Sequence, residues 1–459
     1  MILQIRHLVL AHVCAGAISV TGTVGAISVS AQSSQSSIAR SNGTAAEYTR
    51  GVALYRQGEY LLGLFPDQID TGAVRRARTW ITSLQGQKVT GVQLDAMGAL
   101  SVVAGNDDIA IREFSARLSD TKLSVLDRAY TLLVAVEAFG ANARNSKRMA
   151  VAADYLARMD ALPAEARRLQ FRAHVSIGNA YYDIGDSPAV VTHLQHALTL
   201  IPDIPFEDRQ WGLVIKPAFL TLADALSGMP NGRQRIDSLT TWLRPYSVAS
   251  PAFLAQGTRA EGCARMAADD FTRMTRMTDL LGRLAPPITA QFWINTPAPP
   301  TVDPAVPGAQ TKALNDGKIR VLELGHYGCP GCLAALPKME RIRKALHDKA
   351  EVWFVSDETQ IWGAQLMTPA EKARVLEHFY VNEKGYGLPI AIWIGPRAPS
   401  IDGGNVNQES PVVKAYDVFV TPTFVVTDGR GIVRHIGLGG LDSEAHLKRT
   451  VDFLIAEAH

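Results

Sequence analysis

One break divides the chain more sharply than any other feature: APPITAQFWINTPAPPTVDPAVPGAQ, from Ala285 to Gln310. Proline fixes its own φ and lacks an amide donor, so this density of prolines blocks helix interiors and sheet ladders alike. Ahead of the break, from Ala45 to about Leu284, apolar residues recur at spacings of three and four. Short turns such as Ile184-Gly185-Asp186-Ser187-Pro188 and Gly228-Met229-Pro230-Asn231-Gly232 interrupt them. Behind the break, short apolar runs alternate with helical stretches. These patterns predict an all-helical region over 40–284, an extended proline-rich linker over 285–317 and an α/β region over 318–459. With 459 residues, 47% of them hydrophobic, the chain can give each region a core.

The clearest helical unit is AHVSIGNAYYDIGDSPAVVTHLQHALTLIPD, Ala173 to Asp203. Ile177, Gly178 and Tyr181 on a first helix, Leu194 and Ala197 on a second, and Pro202 as a stop resemble a tetratricopeptide repeat. The unit departs from that pattern at His174, where the repeat favours Trp, and at Val190, where it favours Ala. Gly51 to Tyr60 resembles a fragment of a weaker repeat. The resemblance implies helix pairs stacked into an array with a concave face, which could take a peptide or protein ligand. Tyr181, Tyr182 and Trp211 are read first as packing between helices.

Beyond the linker the expected order is a strand at Ile319–Gly325, a helix from Cys329, a strand at Ala350–Glu358 and a helix at Thr368–Gly385. A strand at Leu388–Gly395, a short helix at Ser410–Val418, a hairpin at Pro422–Gly437 and a last helix at Ser443–Glu457 follow. The first strand runs straight into Cys329-Pro330-Gly331-Cys332. A Cys-x-x-Cys serves as a redox pair, a structural disulfide or half of a zinc site. There is no second such pair, and Cys263 lies far upstream, which favours redox chemistry. At a helix N-terminus, unpaired amide N–H groups and the helix dipole stabilise a thiolate over a thiol. The thiolate is the attacking species in disulfide exchange, so this placement makes Cys329 reactive. Pro330 suits the first helical turn. Cys332, one turn on, can close a small ring with Cys329.

These residues resemble the thioredoxin family, and its exported TlpA/ResA-like branch in particular. Pro337 stands five residues after Cys332, where the family's active-site helix has its proline. Glu323 stands six before Cys329, where thioredoxins place a buried acid. Val420-Thr421-Pro422-Thr423-Phe424 matches the Thr–cis-Pro loop ahead of the terminal hairpin. The resemblance covers about Lys318 to His459 and implies a thioredoxin-like α/β domain. It also implies a nucleophile at Cys329, a resolving cysteine at Cys332 and a redox disulfide between them. Glu323 would be the acid that takes the Cys332 proton, and Thr421 and Pro422 the substrate-binding loop. Gly328 stands where the family usually has Trp. The intervening Pro-Gly lacks the histidine of the strongly oxidising members, which leans the reading toward reductase or isomerase chemistry. Peroxidase chemistry on the same fold wants a Thr three residues before the cysteine, and that position holds His326.

The implied activity is thiol–disulfide exchange with protein substrates, without cofactor or metal, recharged by a membrane or periplasmic electron donor or acceptor. A competing reading is a binding or scaffold protein whose helical array recruits a partner and whose thioredoxin-like part only docks. A net charge of +2 gives no electrostatic case for nucleic acid. At the N-terminus, Arg6 and His7 precede a run from Leu8 to Ile27 that is apolar or small, and Val29-Ser30-Ala31 offers a cleavage site. We expect a signal peptide over 1–31 and export to the periplasm; an uncleaved anchor in the inner membrane is the alternative. An oxidising compartment lets disulfides persist, and three cysteines in the mature chain are too few for a disulfide scaffold.

Overall fold

A computed structural model describes residues 75, 77–79, 81–82, 89–141, 146–206, 215–303, 308–358, 367–394, 397–399, 405–407, 410–418, 420–438 and 444–457. The expected export segment, the Gly51–Tyr60 stretch and Trp211 lie outside these residues. Among the described residues no helix is long and apolar enough to cross a membrane. The chain forms two compact units. One comprises the described parts of Met1–Ala218 with Leu243–Ala268; the other comprises Phe219–Trp242 with Asp269–His459.

The first unit is helical. Its helices are α1 (Val92–Ala104), α2 (Asp107–Leu118), α3 (Val125–Ala141), α4 (Ser146–Asp160), α5 (Arg167–Ile184) and α6 (Ser187–Thr199). The α5–α6 boundary has a local cause. The turn between α5 and α6 uses Gly185 in the left-handed region as a C-cap. Asp186 then caps α6 by accepting the Ala189 N–H, and Pro188 sits in the first turn. Phe114, Phe139 and Tyr155 meet ring to ring in a core that also takes in Leu100, Leu132, Leu133, Leu169 and Ile177. Cys263 is buried on another helix with Ala249, Phe253 and Ala260.

The second unit carries a six-stranded sheet. Its strands are β2 (Phe292–Ile294), β4 (Arg320–Gly325), β5 (Glu351–Asp357), β6 (Ile390–Trp393), β7 (Thr423–Thr427) and β8 (Val433–Leu438), in the order β8-β7-β4-β5-β6-β2. β4, β5 and β6 run parallel; β7 pairs antiparallel with both β4 and β8, and β2 antiparallel with β6. β4 is central and buried at every residue, as expected for a strand covered on both faces. α10 (Pro330–Leu346) joins β4 to β5, α11 (Pro369–Glu377) lies between β5 and β6, and α12 (Glu444–Glu457) follows β8. Cores sit on both sides. Val321, Met339, Ile342, Val352, Phe424, Leu447 and Val451 form one, and Leu336, Phe354, Tyr380, Leu388, Ile390 and Ile392 the other. This strand order and its crossovers give the second unit a thioredoxin-like fold over its C-terminal part.

Two expectations need correction. The segment 285–317 is not a plain linker. Phe292–Ile294 forms β2 on the sheet edge, and β1 (Ile288–Ala290) pairs antiparallel with β3 (Gln310–Lys312). The Tyr416 hydroxyl donates to the Pro286 carbonyl at 2.7 Å, and the Asn295 amide donates to the carbonyls of Tyr386 and Leu388 at 3.0 Å each. The physical reason is that proline disfavours a helix but tolerates extended backbone, and the apolar Phe292-Trp293-Ile294 lies between prolines, free to pair at an edge. The helical chain also divides differently from 40–284. Residues 219–242, which hold most of α7 (Lys216–Ser227) and of α8 (Gly232–Leu243), and residues 269–278, the end of α9 (Thr258–Thr278), belong to the sheet-bearing unit. Asp224 is one tie, accepting the Ile436 N–H at 3.2 Å across 212 residues of sequence.

Candidate active site

β4 carries the chain to the site. Glu323 lies in register with Phe354 of β5 on one side and Phe424 of β7 on the other. Gly325 closes the strand. A Cβ there would come within 2.7 Å of Cys332 Sγ, closer than real Cβ contacts allow, so only glycine lets the second cysteine pack against the strand end. The loop then turns, with the Cys329 N–H donating to the His326 carbonyl at 3.1 Å.

Cys329 is the N-cap of α10. Its φ and ψ are extended, and its sulfur accepts the Cys332 N–H at 3.1 Å. Pro330 occupies the first turn and Pro337 lies inside the helix. The Thr421–Pro422 peptide bond is cis. The Thr421 carbonyl accepts from the Cys329 thiol at 3.5 Å. Gly331 holds this meeting open, since a Cβ on it would stand 3.2 Å from Pro422 Cδ and 3.8 Å from Cys329 Sγ. The structure therefore brings Glu323, Cys329, Cys332, Thr421 and Pro422 together from segments almost 100 residues apart.

The electrostatics separate the two sulfurs. Both cysteines are free thiols. The hydrogen bond from the Cys332 thiol, helped by Thr421 and by the amides of Cys332 and Gly331, outweighs burial and brings Cys329 down to about 6. Burial, then the neighbouring Cys329, pushes Cys332 far up. Cys329 keeps 7% of its surface exposed and Cys332 none, so only the first sulfur meets solvent. Glu323 is fully buried, and among the described residues neither of its carboxylate oxygens has a hydrogen-bond partner. Burial raises its pKa well above the usual carboxylate range, against the pull of the Lys338 charge. Its own charge in turn acts on Cys332.

A second buried acid escaped the sequence reading. Glu358 follows the end of β5 and accepts the Tyr327 N–H at 2.8 Å, two residues ahead of Cys329; the Ser356 hydroxyl also donates to it. Burial raises it to about 7. Tyr327 packs edge-on against Phe379 and Tyr380, and burial together with the Glu358 charge raises the Tyr380 hydroxyl. The signal available was the run Ser356-Asp357-Glu358 at the C-terminal end of an apolar strand, where α/β sheets place their binding residues.

No protein-family model matches the chain, and no curated protein matches it. Among solved structures it is similar to a thioredoxin-like superfamily protein, at 23% identity over 38% of this chain and 96% of the other, with a TM-score of 0.28. It is similar to a thiol-disulfide isomerase from Corynebacterium glutamicum, at 21% identity over 38% of this chain and 97% of the other, with a TM-score of 0.28. A DsbF homologue from Corynebacterium diphtheriae matches at 14% identity over 37% and 86%, with a TM-score of 0.26.

Proposed function

We propose that this chain is an exported protein thiol–disulfide oxidoreductase of the TlpA/ResA-like kind, working in the reductase or isomerase direction. The observation that carries the reading is the setting of Cys329. Its sulfur caps a 17-residue helix, accepts an amide N–H at 3.1 Å, lies 3.5 Å from the Thr421 carbonyl and titrates near 6. At neutral pH it is mostly thiolate.

The Cys329 thiolate attacks one sulfur of a substrate disulfide. A Cys329–substrate bond forms, the substrate S–S bond breaks and the departing sulfur leaves as a thiolate. Cys332 then loses its proton and attacks Cys329 Sγ. The Cys329–Cys332 disulfide forms, the mixed disulfide breaks and the second substrate thiol is released. The substrate gains two electrons and the cysteine pair loses two. Glu323 takes the Cys332 proton, because a carboxyl whose pKa is raised toward that of a thiol exchanges a proton readily. A dithiol of a membrane or periplasmic donor returns the pair to its reduced state. The Thr421–Pro422 backbone beside Cys329 holds the extended substrate. In the isomerase direction the substrate's own thiol releases Cys329 and no net electrons move. The helical unit, read as a tetratricopeptide-like array, recruits the protein that carries the disulfide.

Insulin reduction driven by dithiothreitol tests the reading. We expect the wild type to accelerate precipitation of the B chain and Cys329→Ser to run at the uncatalysed rate. Equal rates for wild type, variant and buffer would refute it.

A further inference from the structure

One group of chemistry-bearing side chains plays no part in disulfide exchange: Asp160, His174, His193 and His196 of the helical unit. His174 stands where the resembled repeat has Trp. α4 ends on Asp160, α5 carries His174, and α6 carries His193 and His196 three residues apart, hence on one face. His174 Nε2 lies 3.0 Å from Asp160 Oδ1, and His174 Nδ1 lies 3.3 Å from His193 Nδ1. The His174 and His196 ring centroids are 4.3 Å apart. One donor atom each from Asp160, His174 and His196 falls within 4.8 Å of the other two. His174 is buried while Asp160 and His196 are exposed, so the group is anchored inside and open to solvent.

We propose that Asp160, His174 and His196 bind one divalent transition-metal ion, with His193 orienting His174 from its other ring nitrogen. Two imidazoles and a carboxylate suit zinc and its neighbours in the first transition row. With metal–ligand bonds of about 2.0–2.2 Å, donors around a tetrahedral ion stand roughly 3.3 Å apart. The Asp160–His174 pair already stands near that separation, and the remaining gaps close by no more than about 1.5 Å, within the reach of side-chain rotation. A fourth position is left for solvent or a ligand.

The hydrogen bonding accommodates the same assignment. Only one of the two facing Nδ1 atoms carries the shared proton. An ion taken by His174 Nε2 and the Asp160 carboxylate leaves the His174 proton on Nδ1, where His193 Nδ1 accepts it. His193 then does for His174 what the outer partner of a metal-bound histidine does, fixing tautomer and ring orientation. His193 is itself held by stacking on Tyr181, with centroids 5.3 Å apart and planes 6° from parallel. The nearby cation Arg167 is directed elsewhere, to Gln170 Oε1 at 2.8 Å and toward Asp203.

Titration calorimetry with zinc chloride alone tests the site. The full chain carries Cys329→Ser and Cys332→Ser in every sample, so that the active-site thiols cannot hold the ion. We expect one zinc ion per chain with micromolar or tighter affinity. His174→Ala or His196→Ala is expected to weaken binding at least a hundredfold. His193→Gln, acting through His174, is expected to keep the stoichiometry and weaken binding about tenfold. His196 and Asp160 are exposed, so His196→Ala and Asp160→Asn leave the core untouched and remain informative if His174→Ala does not fold. A second group, Asp224, His435 and His446, provides the control, since Asp224→Asn is expected to leave the titration unchanged. No saturable binding at millimolar zinc, binding indifferent to His196→Ala, or binding lost with Asp224→Asn would each overturn the proposal. Disulfide exchange is not read out, so the result stands apart from the redox function.

Discussion

The histidine group of the helical unit and the cysteine site of the sheet-bearing unit set their polar groups differently. Around the α5–α6 turn of the helical unit the polar work is local and near the surface. Asp186 caps its own helix three residues away, and the three histidines lie on two helices joined by a single turn. In the sheet-bearing unit, charged groups are drawn inside and answered from far along the chain. Arg320 is fully buried and donates to Asp316, to Glu351 across 31 residues and to the Leu314 carbonyl. Glu323 is buried beside Cys332, and Glu358 is buried against the Tyr327 N–H, two residues ahead of Cys329. The difference shows where energy is stored for chemistry: a local cap settles a boundary, whereas a buried acid or thiol keeps a protonation state that water would not allow.

Arg320 offers the strongest way to break this contrast. Arg320→Met removes the cation and leaves Asp316 and Glu351 facing a buried apolar side chain at the start of β4. We expect a loss of about 3 kcal/mol or more, measured by urea unfolding followed by tryptophan fluorescence.

Glu358 sharpens it, with a somewhat smaller effect that depends on pH. Its folded pKa is about 7 against an ordinary carboxyl value of 4.5. A raised folded pKa contributes stability that is fully present below about 4.5 and is lost as pH rises through 7. Glu358→Gln keeps an acceptor for Tyr327 and Ser356 but cannot ionise. The wild type is therefore expected to lose about 3 kcal/mol relative to Glu358→Gln between pH 4 and pH 8. Parallel stability profiles for the two proteins would show that Glu358 ionises in the folded chain without penalty.

How much of this could be read from sequence follows the same division. The α5–α6 pair, the strand at β4, the terminal hairpin and the approach of Thr421-Pro422 to the cysteines were legible. Each is written in a local period, a cap or a motif of fixed spacing. β2 was not, because an edge strand of three residues among prolines carries no period of its own. Glu358 was hidden for a related reason. Its role comes from accepting the Tyr327 N–H across 31 residues, and a charged residue at a strand end otherwise reads as surface. The grouping of Asp224 with β8 depends on a contact spanning 212 residues, which no local pattern announces.

Disulfide exchange at this site depends on Cys329 being a thiolate at neutral pH while Cys332 waits as a buried thiol. Alkylation of the reduced protein by iodoacetamide, followed residue by residue across pH, tests this most directly. Cys329 is expected to label first, with an apparent pKa near 6, and Cys332 to stay unlabelled in the folded chain. A Cys329 titration at the ordinary thiol value of about 8.5, or faster labelling of Cys332, would contradict it.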